Sequence, residues 1–336
     1  MTTFKLALAT AVTAAALLVA PLAQALTFKI ATLSPDGSAW VKVLRQAAAE
    51  IERQTAGRVT FKFYPGGVMG DDKTVLRKIH VGQLHGAVIT AGGLTQHYTD
   101  IQLYNLPMVF GSNEEVDYVR ARMDPVLLAG LRANGFVAFG ITEVGFAYAM
   151  AKKEFSSVAD VRTQKVWVPD GDLGSARTLQ AFEISPIPLS IADVLAGLQT
   201  GLIGGVAVPP VGAIALQWHT HLKHVLDLPL LYVYGLFTLS ERQYSKVDQA
   251  DQKIMSTEFT KAVNTVDADA RRDHLRAISA LKSQGLNWAP APAAEVAEWQ
   301  AYADRASVKM VEDGFVSEDL YVSLLQHLAE LRDGAR

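Results

Sequence analysis

Three histidines fall within one short stretch, Trp218-His219-Thr220-His221-Leu222-Lys223-His224. Zinc takes three or four ligands that converge in space. His221 and His224 stand i, i+3 and share a helix face, but His219 and His221 point apart on a helix. The chain has no Cys, and no well-placed acid completes a set. The stretch therefore reads as a polar helix end, with His219 offering a hydrogen bond to a cleft. Asp71-Asp72 has the residue types for acid–base work. The same pair suits the N-terminus of the helix that follows, where a carboxylate accepts from free N–H groups and faces the positive dipole end. Capping is the reading adopted here. No GxxxxGK[ST] and no GxSxG occurs. The "GLIGG" run sits inside an apolar strand pattern, without the strand–turn–helix context of a dinucleotide site. "GDLGSARTL" has the form of a helix N-terminus that could accept an anion, but it reads as a capped turn. No catalytic constellation, metal set or cofactor site emerges, so the expectation is a binding protein rather than an enzyme.

The elements that would position a ligand alternate. "LTFKIATL" reads as a strand. In the next segment Trp40, Val43, Leu44, Ala47, Ala48 and Ile51 share a helical face, with Ser38 as cap and Gly57 as stop. "RVTFKFY" is a strand, "DDKTVLRKIHVGQ" a short helix and "LHGAVITAGG" a buried strand. This β-α-β-α-β order predicts a mostly parallel sheet covered by helices. A helix follows at about 113–134, then two strand-like segments, "FVAFGIT" and "FAYAMAKK". "QKVWVP", a helix starting near Asp172, "SIADVLAGLQTG" and the strand "LIGGVAV" make a second set. In it Ser190 and Asp193 have capping-box spacing, and Gly201 ends the helix. "LLYVYGLFTLS" is a strand returning to the first set; long helical runs over 247–285 and 292–314 close the chain.

Residues 1–25 read as a cleaved secretory leader: one cation, Lys5, an apolar run from Leu6 to Ala20, then Ala23-Gln24-Ala25. The run is too short and Ala-rich for a good membrane span. Of 31 Lys and Arg, Lys5 leaves with the leader, so 30 stand against 34 Asp and Glu, a net charge of −4. That mild acidity argues against nucleic acid or an anionic membrane surface as the main partner. About 311 remaining residues suggest two domains. No Pro/Gly/Ser linker separates them, which fits domains that exchange strands. The expected division is 26–147 with about 234–275 in domain I, and 148–233 with about 276–336 in domain II.

The runs "ATLSPDGSAW", "FYPGGVMGDD", "VGQLHGAVITAGG", "NLPMVF", "KVWVP", "PIPLSIADVLAGLQTGLIGG" and "LPLLYVYG" occur in order over most of the chain. Together the sequence resembles the solute receptors of tripartite ATP-independent periplasmic (TRAP) transporters, of the C4-dicarboxylate-receptor type. The resemblance implies an α/β, two-domain periplasmic binding protein of the type II-like kind, with crossing strands and a long C-terminal helical region. It implies a soluble periplasmic monomer that closes on a small solute and hands it to integral-membrane TRAP subunits. Closure would use hinges near 141–150 and 232–238.

Three positions depart from that family's pattern. Where the family reads K-I-R-V-P and its Arg clamps the solute's carboxylate, this chain has Lys165-Val166-Trp167-Val168-Pro169. A guanidinium offers a planar fork to a carboxylate; an indole offers one N–H and an apolar face. A second family Arg is Ala147 here, and the V-D-G-x-E-x-P stretch is "IGGVAVPP", with Gly204, Ala207 and Val208. Burying a carboxylate without donors costs several kcal/mol. The expected site is a cleft lined by Trp167, Phe146, Tyr148, Val208, Trp218, Tyr232 and Tyr234, with Ser34 and His219 supplying orienting hydrogen bonds. Its solute would be bulky, uncharged or largely apolar. Two alternatives stand beside this: a carboxylate receptor whose cation is Lys165, Arg177 or Lys29, and an exported accessory or sensor protein whose cleft Trp167 fills.

Overall fold

The structure, a computed structural model, describes residues 25–334, so the leader lies outside it except for Ala25. The first five elements follow the alternation in the sequence. Strands β1 (Leu26–Thr32), β2 (Val59–Tyr64) and β3 (Gly86–Thr90) are parallel, in the order β2-β1-β3. Helices α1 (Ala39–Gln54) and α2 (Asp72–His80) connect them. Helix α1 buries Val41, Leu44, Ala47, Ala48 and Ile51, the stripe its spacing predicts. Ser38 is its N-cap residue, although its hydroxyl makes no capping bond, and Gly57 lies just past its end at φ 78°. Asp71, not Asp72, caps α2 by accepting from Thr74 N at 2.8 Å.

After the one-turn helix α3 (Ala91–Leu94), a 3-10 segment (Thr99–Asn105) and α4 (Asn113–Ala133), the chain enters β4 (Phe136–Ala151). This is one 16-residue strand where the sequence suggested two. Its pairing slips between Glu143 and Gly145, where Gly145 takes φ 111°. A bulge bends a strand without ending it. The partner strand β8 (His224–Ser240) runs antiparallel to it, and also begins earlier than its apolar pattern suggests. Pro229 hides this extension, because it lacks the N–H of a regular ladder; the register shifts beside it, next to Tyr148.

These two long strands run through both ends of the molecule. At one end β3 pairs with Gly235–Leu239 of β8. At the other, β7 (Gly205–Val208) pairs with Tyr148–Ala151 of β4, and β9 (Asn287–Pro290) with His224–Asp227 of β8. Each end has its own apolar cluster. One gathers Phe28, Phe237 and Phe259; the other gathers Phe155, Phe182 and Trp299. A third, larger cluster, containing Trp167, Trp218, Tyr232 and Tyr234, takes in Leu76 of α2 as well as Leu198 and Val206, and so reaches into both ends.

The second end is completed by α5 (Val158–Arg162), β5 (Trp167–Pro169), α6 (Leu173–Ala181), β6 (Ile187–Leu189), α7 (Val194–Thr200) and α8 (Pro210–Ala215). Strand β5 pairs with β6 in parallel and bridges to β7 through Val166 and Gly205. Gly201 ends α7 in the left-handed region, as expected. The Ser190–Asp193 capping box does not form: the Ser190 hydroxyl meets the Asp193 carboxylate at 2.6 Å instead of a backbone N–H. A four-residue helix α9 (Glu241–Tyr244) leads into α10 (Gln249–Ser283). Its 35 residues make it about 50 Å long at 1.5 Å per residue. It packs against α1, β4 and α8, so it touches both ends of the molecule. Helices α11 (Ala293–Glu312) and α12 (Glu318–Gly334) finish the chain. Among the described residues no helix is long and apolar enough to cross a membrane.

Candidate functional site

Strand β5 is short because Pro169 cannot continue a ladder and Gly171, at φ 87°, turns the chain. Asp172 then caps α6 by accepting from Ser175 N at 3.0 Å. This compact strand–turn–helix presents Trp167 to the middle of the molecule. The indole is 7% exposed and its N–H donates to the Leu189 carbonyl at 3.0 Å. With its single donor spent inside the protein, Trp167 has only ring surface to offer. Its ring meets Trp218 edge to face, with centroids 5.0 Å apart.

Both indoles line a cavity of about 220 Å³ between the two ends of the molecule. Thr90, Ala91 and Gly92 contribute from the start of α3, Asn105 from the 3-10 segment and Val144 from the β4 bulge. Opposite them stand Trp167, Asp172, Val208, Pro209 and Trp218, with Tyr234 at the crossing strands. Among the described residues no Lys, Arg or His lines this space, and its one charged lining residue is Asp172. That carboxylate accepts from the Ser175 hydroxyl at 2.7 Å and from Gln102 Nε2 at 3.1 Å. Burial raises its pKa, while the hydrogen bonds from Ser175, Gly174 and Gln102 act in the other direction. Asn105 donates from Nδ2 to the Tyr232 carbonyl at 3.0 Å. That bond fixes the amide, and leaves its Oδ1 buried with no partner.

Of the residues expected at the site, Trp167, Val208, Trp218 and Tyr234 come together around this cavity, and five do not. Phe146 packs on Tyr232, and Tyr148 on His274 and Trp288, so both rings contact residues that are not part of the cavity wall. Tyr232 is 1% exposed and spends its hydroxyl on Glu143 and Arg120. Tyr234, which does line the cavity, donates its hydroxyl to the Ile101 carbonyl. Ser34 belongs to the turn after β1, where its carbonyl accepts from Gly66 N. His219 lies in a 3-10 turn (Trp218–His221), with Nδ1 3.0 Å from the Ala213 carbonyl. Strand alternation explains the misplaced aromatics: the bulge at Glu143/Gly145 resets which face follows Val144. Asn105 and Asp172 line the cavity without having been expected there. Both sit in segments already singled out, "NLPMVF" and the α6 start, but as scaffold rather than as lining.

The three substitute cations are elsewhere. Lys165 donates to the Gly201 carbonyl at 3.3 Å, Arg177 pairs with Asp313 at 3.0 Å, and Lys29 is exposed on β1. Among the described residues no group of three His, Cys, Asp or Glu side chains could hold a metal ion. Asp72 packs against Gly93 and Thr90 at the mouth of the space between the two ends, and its carboxyl is pushed up to about 7. Burial is the main cause, followed by the charges of Asp71 and Asp172.

Residues 30–313 match the model of the bacterial extracellular solute-binding protein family 7, DctP. The sialic acid-binding periplasmic protein SiaP of Vibrio cholerae is 21% identical over 270 residues, 78% of this chain and 82% of its own length. Protein YiiZ of Salmonella typhimurium is 25% identical over 227 residues, 63% of this chain and 68% of its own. Among solved structures, a TRAP periplasmic solute-binding protein from Xanthobacter autotrophicus Py2 with bound β-D-galacturonate superimposes with a TM-score of 0.81. It covers 90% of this chain and 98% of that one at 16% identity, so the likeness is one of fold: two α/β domains about crossing strands. With the family model matched over most of its length, the chain belongs to the bacterial extracellular solute-binding protein family 7, DctP.

Proposed function

We propose that this protein is a periplasmic TRAP receptor whose solute is bulky, uncharged and largely apolar. The observation that carries the reading is the charge of the cavity wall. Its single charged residue is the acid Asp172, and an indole, Trp167, stands where the resemblance expects a clamping Arg. A carboxylate solute there would face a carboxylate, with no cation to offset its desolvation. The relatives named for acids carry that name for themselves; this wall suits a different cargo.

The faces of Trp167 and Trp218 favour a flat or hydrocarbon body. At about 220 Å³ the space exceeds the roughly 150 Å³ apolar cavity that holds a benzene ring, so a substituted ring fits. This free volume also favours a working cleft over one that Trp167 has filled. Binding would close the two ends about β4 and β8, and the closed form would engage the membrane subunits. A thermal-shift screen of the purified receptor tests the reading. Neutral ring-bearing alcohols and amides should raise the melting temperature, while D-galacturonate and succinate leave it unchanged. A strong shift with either acid would overturn the solute class.

A further inference from the structure

A second cavity of about 70 Å³ abuts the first, within the apolar cluster of Phe155, Phe182 and Trp299. Five residues, Val166, Thr178, Leu179, Ala207 and Leu231, line both spaces. The cause of this gap lies in two paired strands. Ala149 of β4 stands beside Ala207 of β7, and Ala151 beside Gly205. Four small residues thus meet where the surrounding aromatics leave room for larger ones. Protein interiors pack to crystal density, and voids in them are destabilising. An apolar gap that shares its wall with a ligand site is accounted for if the ligand fills it.

We propose that this gap is a tail chamber, and that the solute is amphipathic. Its polar head and its body would lie in the first cavity against Trp167, and an alkyl tail would pass the wall shared by Ala207 and Leu231 toward Phe182 and Trp299. The inference rests on the reading of the first cavity as a site for an uncharged solute. The volume selects the tail's chemistry: about 70 Å³ is half of what holds a benzene ring, so it takes a short alkyl chain and not a second ring. The lining selects it too, since Thr178 and Gln164 are its two polar side chains.

Calorimetric titration of the mature protein with phenol and its 4-ethyl, 4-butyl and 4-hexyl derivatives tests the proposal. Affinity should rise about fourfold per added methylene, the gain for burying one CH₂, and then level off once the chamber is full. In Ala149→Leu, which fills the chamber from a position outside the first cavity, phenol should bind as in the wild type and the gain from the tail should vanish. Phe182→Leu enlarges the chamber and should move the plateau to a longer chain, an outcome that also guards against a poorly folded Ala149→Leu. Equal affinity along the series, or a tail gain untouched in both variants, overturns the tail chamber. A parallel titration with D-galacturonate separates the two levels of the argument. Heat with the acid, or silence from every phenol, overturns the uncharged ring-bearing solute itself, whereas phenol binding with no gain along the series overturns only the chamber.

Discussion

Trp167 and Trp218 meet edge to face with ring centroids 5.0 Å apart and planes at 76°. One comes from the short strand β5, the other from the 3-10 turn before β8. The pair joins two stretches of chain at the cavity wall, so it is both packing and lining. Such a pair adds roughly 0.5–1.5 kcal/mol to the burial of its rings. Trp167→Ala should therefore destabilise the protein by about 3–5 kcal/mol, read by urea unfolding. Trp167→Arg should bring acid binding: D-galacturonate should give a measurable calorimetric signal with the variant and none with the wild type. A variant with full stability and no change in ligand response would deny Trp167 both roles.

Gly92 lies at the start of α3, and Asp172 faces it from the other end of the molecule. A Cβ at Gly92 would stand 2.3 Å from Asp172 Oδ2. Asp172 cannot yield easily, because Ser175 and Gln102 hold its carboxylate. Overpacking of this kind costs roughly 1–3 kcal/mol. Gly92→Ala should oppose closure and weaken solute binding about 5- to 150-fold. Small-angle scattering should show a larger radius of gyration for the variant under conditions where the wild type is compact. Identical scattering and affinity would mean the two ends do not separate at this contact.

Asp72 gives the protein a pH dependence of defined sign. Acting on its carboxyl are Asp71 at the cap of α2, Thr90, and Asp172 across the space; Lys73, Arg77, His80, His97 and Asp170 line the same groove. With its pKa raised to about 7, from an ordinary value near 4, the native state holds this proton more tightly than the unfolded chain. Its contribution is complete below about pH 4 and is lost as pH rises through 7. His274 acts oppositely: burial pushes it down to about 4, so its contribution is complete above about pH 6.5 and is lost as pH falls. The two slopes offset each other in the wild type, so difference curves are needed. Asp72→Asn should match the wild type near pH 4 and exceed it in stability near pH 8, as read by urea unfolding. A constant difference between the two curves would contradict the assignment.

At the bulge of β4, Glu143 is 4% exposed and its carboxylate accepts from Arg271 at 3.1 Å and from the Tyr232 hydroxyl at 3.2 Å. Arg120 donates to the same Tyr232 oxygen and to Asp267. The network ties α10 and α4 to the crossing strands. Arg271→Ala strands a buried carboxylate and should cost about 1–3 kcal/mol. Adding Glu143→Gln should restore part of that loss, giving a coupling of roughly 0.5–3 kcal/mol in a double-mutant cycle. Additive losses would make the pair an incidental surface contact.

The alternating first third was legible because each strand and helix buries one clean face, as α1 does with Leu44 and Ile51. The α/β class and the receptor family followed from it and from the order of the motifs. The length of β4 and β8 was not legible: Gly145 and Pro229 look like breaks, yet the ladder absorbs both as bulges. The same bulge accounts for where Phe146 and Tyr148 lie. Without the bulge, Phe146 and Tyr148 seem to share a face with the cavity; with it, they turn away and pack on Tyr232, His274 and Trp288. Trp167 lines the cavity, where the resemblance and its place beside a Pro-Asp-Gly turn put it. Asn105 was not legible, since nothing local marks an amide whose oxygen the tertiary fold leaves unpaired.

The most direct measurement is mass spectrometry of whatever small molecule accompanies the receptor when it is exported, purified without denaturation and then unfolded to release its cargo. An uncharged molecule with a hydroxyl or N–H on an apolar body is the expected find. A dicarboxylate or sugar acid, released in stoichiometric amount, would contradict it.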